Sequence, residues 1–205
     1  MSPAALAELV APGRCAVVTQ ECQVGVIGAE AVLRDLADEA ARRAVPNIVR
    51  LVGAARAAGV PVVHCRALRR ADDLGSNRNA RLFHAVRKLG IDLSPGSTGA
   101  ELLPELGPDP RDLVLDRYHG LGPMGGTDLG PVLRNLGVDV IVGVGVSVNI
   151  AITNFVMDAV NAGFEFVLPR DAVAGVPADY ADAVIDNSLG LLATVTMTED
   201  VLGVW

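Results

Sequence analysis

Residues 139–169 read DVIVGVGVSVNIAITNFVMDAVNAGFEFVLP, and this stretch decides the fold class. After Asp139 it opens on a continuous apolar run, 140–146, as expected of a strand that is covered on both faces. Residues 149–163 then repeat apolar side chains at helical spacing, and 164–169 return to a short β-branched and aromatic pattern. A strand, a crossover helix and a second strand form a βαβ unit, which places two parallel strands in one sheet. We therefore expect an α/β fold.

The same alternation runs through the rest of the chain. Further strands are predicted at 15–20, 60–67, 112–117 and 194–198, and further helices at 30–44, 47–59, 128–137 and 178–193. Between residues 68 and 111 the pattern is irregular, broken by Pro and Gly around one helical patch. We predict a single domain, residues 1–205, that forms a three-layer α/β/α sandwich. Its sheet should be mainly parallel and Rossmann-like, with about five or six strands.

The composition restricts the classes of function. A formal net charge of −7 and a predicted pI near 4.9 argue against a nucleic-acid or anionic-membrane partner, since both require clustered basic side chains. The three cysteines form no CxxC pair, and no apolar run is long enough to span a bilayer. We expect a cytoplasmic, unprocessed protein that acts on a small molecule, with no nucleic-acid partner and no membrane partner.

The candidate site follows from the predicted sheet. In open parallel sheets, ligands bind beyond the carboxyl ends of the strands, near the point where the strand order reverses. Polar or turn-forming residues follow four predicted strands, at 20–23, 64–66, 116–119 and 143–154. The last of these, GVGVSVNIAITN, has the shape of a seat for a catalytic nucleophile, yet it carries Ala151, whose methyl group can do no chemistry.

Taken together, these motifs resemble the isochorismatase-like, or cysteine hydrolase, superfamily over almost the whole chain. The pattern Asp-Met-Gln of that family is similar to Glu21-Cys22-Gln23. Its tyrosine-containing loop and Thr-Asp-Leu helix start resemble Tyr118 and residues 127–129. Its Gly-Val-Ala-Thr-Asn-Val-Cys segment resembles GVSVNIA at 145–151. The resemblance also implies a non-proline cis peptide near Val146–Ser147.

The resemblance implies a catalytic triad of aspartate, lysine and cysteine, and all three positions are altered here. Glu21 stands for the aspartate and keeps a carboxylate. Either Arg117 or Asp116 stands for the lysine, depending on the register, and we favour Arg117 because a cation stabilises a neighbouring carboxylate that Asp116 would repel. Ala151 replaces the cysteine, so the covalent thioester chemistry of the family should be absent.

What remains is an acid beside a turn whose backbone N–H groups can hold an anion. Some family members lack the cysteine and cleave a vinyl ether by protonating a carbon, so the resemblance implies a hydrolase of small, carboxylate-bearing molecules with Glu21 as the acid. The alternative is an inactive relative that binds a metabolite or serves as an assembly subunit. Glu21 and Arg117 are the predicted catalytic residues, and the predicted substrate contacts are Gln23, Tyr118, His119, Val146, Ser147, Asn149, Ile150 and Ala151.

Other chemically active residues receive simpler interpretations. Cys22 and Cys65 are predicted to be buried and inert, and His64 to be structural. The metal site of some family members has an aspartate and two histidines around the second strand, and this segment offers only the one histidine, His64, so we expect no metal. No other cofactor is expected. The basic cluster of residues 69–88 is either a solvated face, a subunit contact or a lid for an anionic substrate. The glycines of GVGVSV do not complete a dinucleotide-binding fingerprint. The family resemblance implies a homodimer or homotetramer.

Overall fold

The computed structural model describes residues 1–29, 31–107 and 109–205. In this described part, seven parallel strands form one sheet: β1 (Cys15–Gln20), β2 (Val62–Ala67), β3 (Leu113–Arg117), β4 (Val140–Val146), β5 (Glu165–Pro169), β6 (Val173–Ala174) and β7 (Thr194–Thr196). The spatial order is β3-β2-β1-β4-β5-β7, and the short β6 pairs with β4. The strand order therefore reverses between β1 and β4, and a crevice is expected beyond their carboxyl ends.

Helices cover both faces of the sheet. They are α1 (Pro3–Leu9), α2 (Val24–Ile27), α3 (Arg34–Glu39), α4 (Val45–Ala58), α5 (Arg81–Leu89), α6 (Leu129–Asn135), α7 (Thr153–Asn161), α8 (Ala178–Asn187) and α9 (Thr198–Leu202). A π-helical turn, Ala40–Ala44, joins α3 to α4, and a second, Val148–Ile152, leads into α7. Short 3₁₀ turns lie at Thr98–Ala100, Pro104–Leu106 and Leu189–Leu191.

The core consists of two apolar layers, one on each face of the sheet. Leu36 of α3, Ile48 and Leu51 of α4 and Val201 of α9 pack on one face. On the other face the packing comes from α6, α7 and α8, with Leu133, Phe155 and Ile185 among the buried residues. Because each strand alternates its side chains between the two faces, β1 contributes Val17 to the first layer and Val18 to the second. The predicted three-layer α/β/α sandwich with a mainly parallel sheet is confirmed.

Several elements differ from the sequence prediction, among them the short α2, which lies in a segment expected to be a loop. Strand β6 was not predicted, because two residues are too short to show a period. Helix α1 was not predicted either, although Ser2 accepts a hydrogen bond from the Ala5 N–H and Pro3 opens the helix, which are recognised start signals. The predicted helix 30–44 begins only at Arg34 in the structure and continues through the π turn into α4. Glu30 lies outside the described residues.

The glycines of β4 are explained by packing. A Cβ atom on Gly143 would lie 2.0 Å from the ring of Phe166, and a Cβ atom on Gly145 would lie 2.2 Å from the carbonyl oxygen of Gln20. Gly145 also has a φ of +118°, which side-chain-bearing residues rarely adopt. These glycines therefore allow the aromatic ring to reach the sheet and β4 to approach β1 at the point where the strand order reverses.

Candidate active site

Glu21 leaves the sheet at the carboxyl end of β1. Its N–H still donates to the carbonyl of Cys65 on β2 over 3.0 Å, but its φ is +54°. A left-handed backbone costs a residue with a side chain about 1–2 kcal/mol, so the surrounding contacts must hold Glu21 in this conformation. The turn takes its carboxyl group out of the regular alternation of the strand, and the side chain lines a cavity.

Two side chains hold one oxygen of the Glu21 carboxyl group. Arg117 donates from Nη2 to Oε1 in a salt bridge, and Gln20 donates from Nε2 to the same Oε1 over 2.9 Å. Arg117 is itself fixed by a bond from Nη2 to the Leu121 carbonyl, 3.3 Å long. Among the described residues, no hydrogen bond reaches the second oxygen, Oε2. Oε2 is thus the oxygen that remains free to exchange a proton with a bound molecule.

The environment favours the protonated form of Glu21. Although 19% of the side chain is exposed to solvent, burial of the carboxyl group raises the pKa of Glu21 above its ordinary value. The charge and hydrogen bond of Arg117, and the bond from Gln20, act in the opposite direction on this pKa. The net result is a raised pKa, which is the property that a general acid requires near neutral pH.

The structure decides which residue of β3 faces Glu21. Asp116 points to the other side of the strand, where Arg66 donates to both of its carboxylate oxygens at 2.7 and 2.9 Å. Arg117 is buried, with 7% of its side chain exposed, and contacts Glu21. Because the guanidinium group cannot lose its proton at physiological pH, Arg117 can act as an electrostatic anchor but not as an acid or base.

The turn after β4 supplies a second wall of the site. The Val146–Ser147 peptide bond is cis, as the resemblance predicted. Ser147, Ile150 and Ala151 line the same cavity as Glu21. The N–H groups of Ile150 and Ile152 donate to the Ser147 carbonyl over 3.3 and 3.0 Å, so these two are engaged within the turn. The position that the resemblance assigns to the family's cysteine is therefore occupied by Ala151, which lines the cavity.

The cavity has a volume of about 210 Å³ and a mostly apolar wall. Leu33 and Leu36 come from the segment around α3, Leu68 follows β2, and Leu82, Phe83 and Val86 belong to α5. Tyr118 and His119 line it from the loop after β3. The structure thus brings together Glu21, Arg117, Tyr118, His119, Ser147, Ile150 and Ala151, seven of the residues that the sequence analysis selected.

Three other selected residues do not line this cavity. Gln23 is fully buried, and its amide bonds the backbone of Ala67 in both directions and the carbonyl of Ala100. Val146 is buried in the core layer beside α4. Asn149 points its Nδ2 toward the Val176 carbonyl, 3.4 Å away. Gln23 and Val146 brace the surroundings of the cavity, because their groups are satisfied by the protein, whereas the buried Oδ1 of Asn149 has no hydrogen-bond partner among the described residues.

The sequence analysis missed Gln20 and the contribution of α5. Gln20 is the last residue of β1, in which all six residues are buried, and its bond to Glu21 depends on the backbone turn that follows. Helix α5 was recognised as a helical patch, and its Leu82, Phe83 and Val86 lie at spacings that share one face. Nothing in this pattern indicates that the face covers a cavity.

Two arginines of the predicted basic cluster also line the cavity. Arg87 of α5 donates from Nε to Asp73 over 2.9 Å, and Arg69 places its Nε 3.3 Å from the other oxygen of Asp73. One carboxylate thus faces two guanidinium groups, and Asp92 also interacts electrostatically with Arg69. Arg70, in contrast, is exposed and pairs with Asp72.

A family model for the isochorismatase domain matches residues 15–200. The chain belongs to the isochorismatase family. The match covers β1 through α9 and includes Glu21, Arg117 and Ala151.

Individual relatives are distant from this isochorismatase-family chain. An uncharacterized isochorismatase family protein, YecD, of Escherichia coli O157:H7 is 33% identical over 81 residues, which are 40% of this chain and 43% of that protein. The matching region therefore spans less than half of that curated relative. A cysteine hydrolase from Pseudomonas syringae pv. phaseolicola 1448A superposes with a TM-score of 0.82 at 24% identity, covering 96% of this chain and 94% of its own. An isochorismatase family protein from Desulfovibrio vulgaris subsp. vulgaris str. Hildenborough superposes with a TM-score of 0.77 at 25% identity. The superposition covers 92% of this chain and 98% of that protein.

The native cysteines of this isochorismatase-family chain are buried. Cys15, Cys22 and Cys65 are free thiols, and burial raises the pKa of each to about 12. A thiol with such a pKa carries almost no thiolate at neutral pH and is a poor nucleophile. Within the described residues, no group of three His, Cys, Asp or Glu side chains lies close enough together to hold a metal ion. None of the described helices is both long and apolar enough to cross a membrane.

His64 belongs to a buried network away from the cavity. Its Nδ1 lies 2.8 Å from Thr19 Oγ1 and its Nε2 lies 3.0 Å from Asp112 Oδ2, and Asp112 in turn pairs with Arg56 of α4. Burial lowers the pKa of His64, while the bond and charge of Asp112 raise it and the charge of Arg56 lowers it further. This network ties β1, β2 and α4 together, in agreement with the structural role predicted for His64.

Proposed function

We propose that this protein hydrolyses a small, carboxylate-bearing molecule by acid/base chemistry through Glu21, without a covalent enzyme intermediate. The observation that carries the proposal is the state of the Glu21 carboxyl group. One of its oxygens is held by Arg117 and Gln20, while the other has no protein partner among the described residues and the side chain lines the cavity. A protonated carboxyl group in this position can donate to a bound substrate.

Vinyl ether hydrolysis suits this arrangement. The Oε2 proton of Glu21 is transferred to the terminal carbon of the C=C bond, which leaves a cationic carbon bonded to the ether oxygen. Water adds to that carbon, and its proton passes back to the Glu21 carboxylate. The resulting hemiketal then breaks its C–O bond, giving an alcohol and a ketone. One water is consumed, no electron acceptor is needed, and the methyl group of Ala151 is consistent with a route that uses no thiolate.

The cavity wall offers a counter-charge for a substrate carboxylate. Arg69 and Arg87 both line the cavity and share the carboxylate of Asp73. Their guanidinium groups favour an anionic group on the ligand, since an opposite charge in a partly desolvated site is stabilising. This argument supports the choice of a carboxylate-bearing substrate over a neutral one.

The test is a screen of carboxylate-bearing vinyl ethers, with ketone release followed by a coupled assay, and of esters and amides in parallel. We expect turnover of a vinyl ether that Glu21→Gln reduces at least a hundredfold, because the general acid is lost. Glu101→Gln is the matched control, since Glu101 is exposed and lies outside the cavity lining. Turnover that survives in Glu21→Gln would overturn the mechanism.

The same screen addresses the second candidate, a binding protein without turnover. Ala151, at the position that the family resemblance assigns to the cysteine, favours that alternative, because an alanine there supplies no thiol for covalent catalysis. Absence of turnover across the whole panel, together with an increase in Tm on addition of a panel member, would favour binding over catalysis. The homodimeric or homotetrameric state remains a prediction, which light scattering can check.

A further inference from the structure

Residues 70–90, which include α5, form a wall of the cavity that contains no buried residue. Leu82, Phe83 and Val86 line the cavity from one face of α5, and the positions between them, 84 and 85, are exposed. Val86 is the one residue of this helix that packs, partly buried, against the core layer beside α4. Segments with few buried apolar contacts open locally at a small cost in free energy. This wall can therefore move while the sheet stays intact.

The two ends of the segment are tied together at its base. The Arg69 N–H donates to the Leu93 carbonyl over 2.9 Å, and Arg69 Nη2 donates to the Ile91 carbonyl over 2.7 Å. The base is also joined to the sheet, because the Leu68 N–H donates to the carbonyl of Arg117 on β3 over 2.8 Å. Residues 70–90 thus form a flap that projects from a fixed base.

An internal contact makes the flap one body. Asp73 accepts from Arg87 of α5 over 2.9 Å, so the loop that follows the base is fastened to the helix. Gly90, which follows α5, has a φ of +68°, and no heavy atom lies within 4 Å of the position of a Cβ there. The open space around Gly90 allows the chain to bend between α5 and the base.

One hydrogen bond fastens the far side of the flap. Asn77 Oδ1 accepts from the Gly120 N–H over 2.8 Å, and in the described part of the chain this is the one hydrogen bond that joins residues 70–90 to any segment other than their base. Gly120 precedes Leu121, whose carbonyl accepts from Arg117 Nη2. The flap is therefore attached to the loop that also holds the arginine of the site, through a contact that a single substitution removes.

We propose that residues 70–90 form a hinged lid over the cavity, with its base at Arg69 and Leu93 and a latch at Asn77 and Gly120, and that opening of the lid admits small molecules to Glu21 and Ala151. Of the three interpretations of the basic cluster, this inference selects the lid. It goes beyond the proposed function and does not depend on it, because the lid would control access whether the bound molecule is hydrolysed or only held.

The experiment measures access to the cavity in Ala151→Cys, whose new thiol lines it, by mass spectrometry of labelling with the neutral reagent iodoacetamide. Adding Asn77→Leu removes the acceptor of the latch and should raise the labelling rate at least fivefold. Asn77→Asp keeps an acceptor oxygen and should restore the rate to within twofold of Ala151→Cys alone. Asn79→Leu is the matched control, because it removes the 3.2 Å bond from Asn77 to Asn79 and leaves the latch in place. Its labelling rate should also stay within twofold.

Hydrogen exchange of the wild type tests the lid without any substitution. The amides of α5 should exchange at least a hundredfold faster than those of α7, a helix of the same length that contributes Phe155 and Val156 to the core. An unchanged labelling rate in a folded Asn77→Leu variant, or an equal rise in Asn79→Leu, would overturn the inference. Equal protection of α5 and α7 would overturn it as well, and decides the matter if Asn77→Leu fails to fold.

Discussion

Gln20 donates its side-chain amide to Oε1 of Glu21, the oxygen that Arg117 also contacts. Because the two donors bind the same atom, Oε1 is held by the protein and Oε2 is available to a ligand. Both donors stabilise the ionised form of Glu21, and burial of the carboxyl group opposes them. The proton affinity of this group is therefore set by a balance that single substitutions can change.

Gln20→Met should raise the pKa of Glu21 further, because one hydrogen bond to the ionised carboxylate is lost. The measurement is the pH titration of the Glu21 side-chain carboxyl carbon by ¹³C NMR, which needs no substrate. Gln23→Met is the control, since Gln23 is equally buried but bonds only backbone groups near Ala67 and Ala100. An unchanged titration midpoint in Gln20→Met would show that Gln20 does not tune this carboxyl group.

The pH dependence of stability should reveal the raised pKa of Glu21. A raised native pKa means that the ionised form is disfavoured in the folded state, so its contribution to stability is present at low pH and is lost as pH rises through the native pKa. We expect the unfolding free energy of the wild type, relative to Glu21→Gln, to fall as pH increases above the ordinary glutamate pKa of about 4.3. Urea titrations at several pH values measure this difference, and a constant difference would contradict the assignment.

Ala151→Cys should create a reactive thiol where the native chain has none. Cys15, Cys22 and Cys65 are buried with pKa values of about 12, so the folded wild type should react slowly with a thiol reagent such as Ellman's reagent. Ala151 lines the cavity, and a thiol there would be reachable from it. We expect one fast equivalent in the variant and none in the wild type. Ile152→Cys, at a fully buried neighbouring position, is the control that should remain slow.

The network around His64 should make stability fall in mildly acidic solution. Because burial lowers the pKa of His64, the unfolded chain binds a proton more readily, and stability is lost as pH falls below the ordinary histidine value of about 6.5. The loss continues until the native pKa is reached. Unfolding free energies at pH 7.5 and 5.5 should therefore differ more in the wild type than in His64→Gln. An identical loss in both proteins would exclude His64 as the cause.

Gly145→Ala should destabilise the fold strongly, by about 3 kcal/mol, because its φ of +118° disfavours a side chain and the new Cβ would lie 2.2 Å from the Gln20 carbonyl oxygen. In a chain of this size that corresponds to a fall in Tm of about 10 °C. Gly53→Ala is the opposite control, since Gly53 lies within α4 with open space around its Cβ position, and it should stabilise by about 0.5–1 kcal/mol. Thermal melts of the two variants check the predicted fall in Tm for Gly145→Ala and the predicted rise in Tm for Gly53→Ala.

The architecture could be predicted from the sequence because the strands carry local signals. The run at 140–146 is apolar throughout, and Gly59 ends α4 in a left-handed conformation, as its position predicted. Strand β6 could not be predicted, because two residues pair with β4 only through the tertiary fold.

The site could be predicted in part, for a related reason. Glu21 and Ala151 follow strands that the sequence marks clearly, so their convergence follows from the parallel sheet. The role of Gln23 was not predictable, because motif position does not show that its amide is engaged by Ala67 and Ala100. The same holds for Gln20, whose contact with Glu21 depends on a left-handed turn that no residue type at position 21 signals.

No residue of helix α5 is buried, although Val86 packs against the core layer beside α4, so changes at Leu82 and Phe83 should leave the sheet intact. If the cavity binds the substrate as proposed, substitutions there change the small-molecule preference without bringing the protein near the threshold at which it would unfold. Over evolution, the ligand preference of such a protein can then change while its fold is conserved.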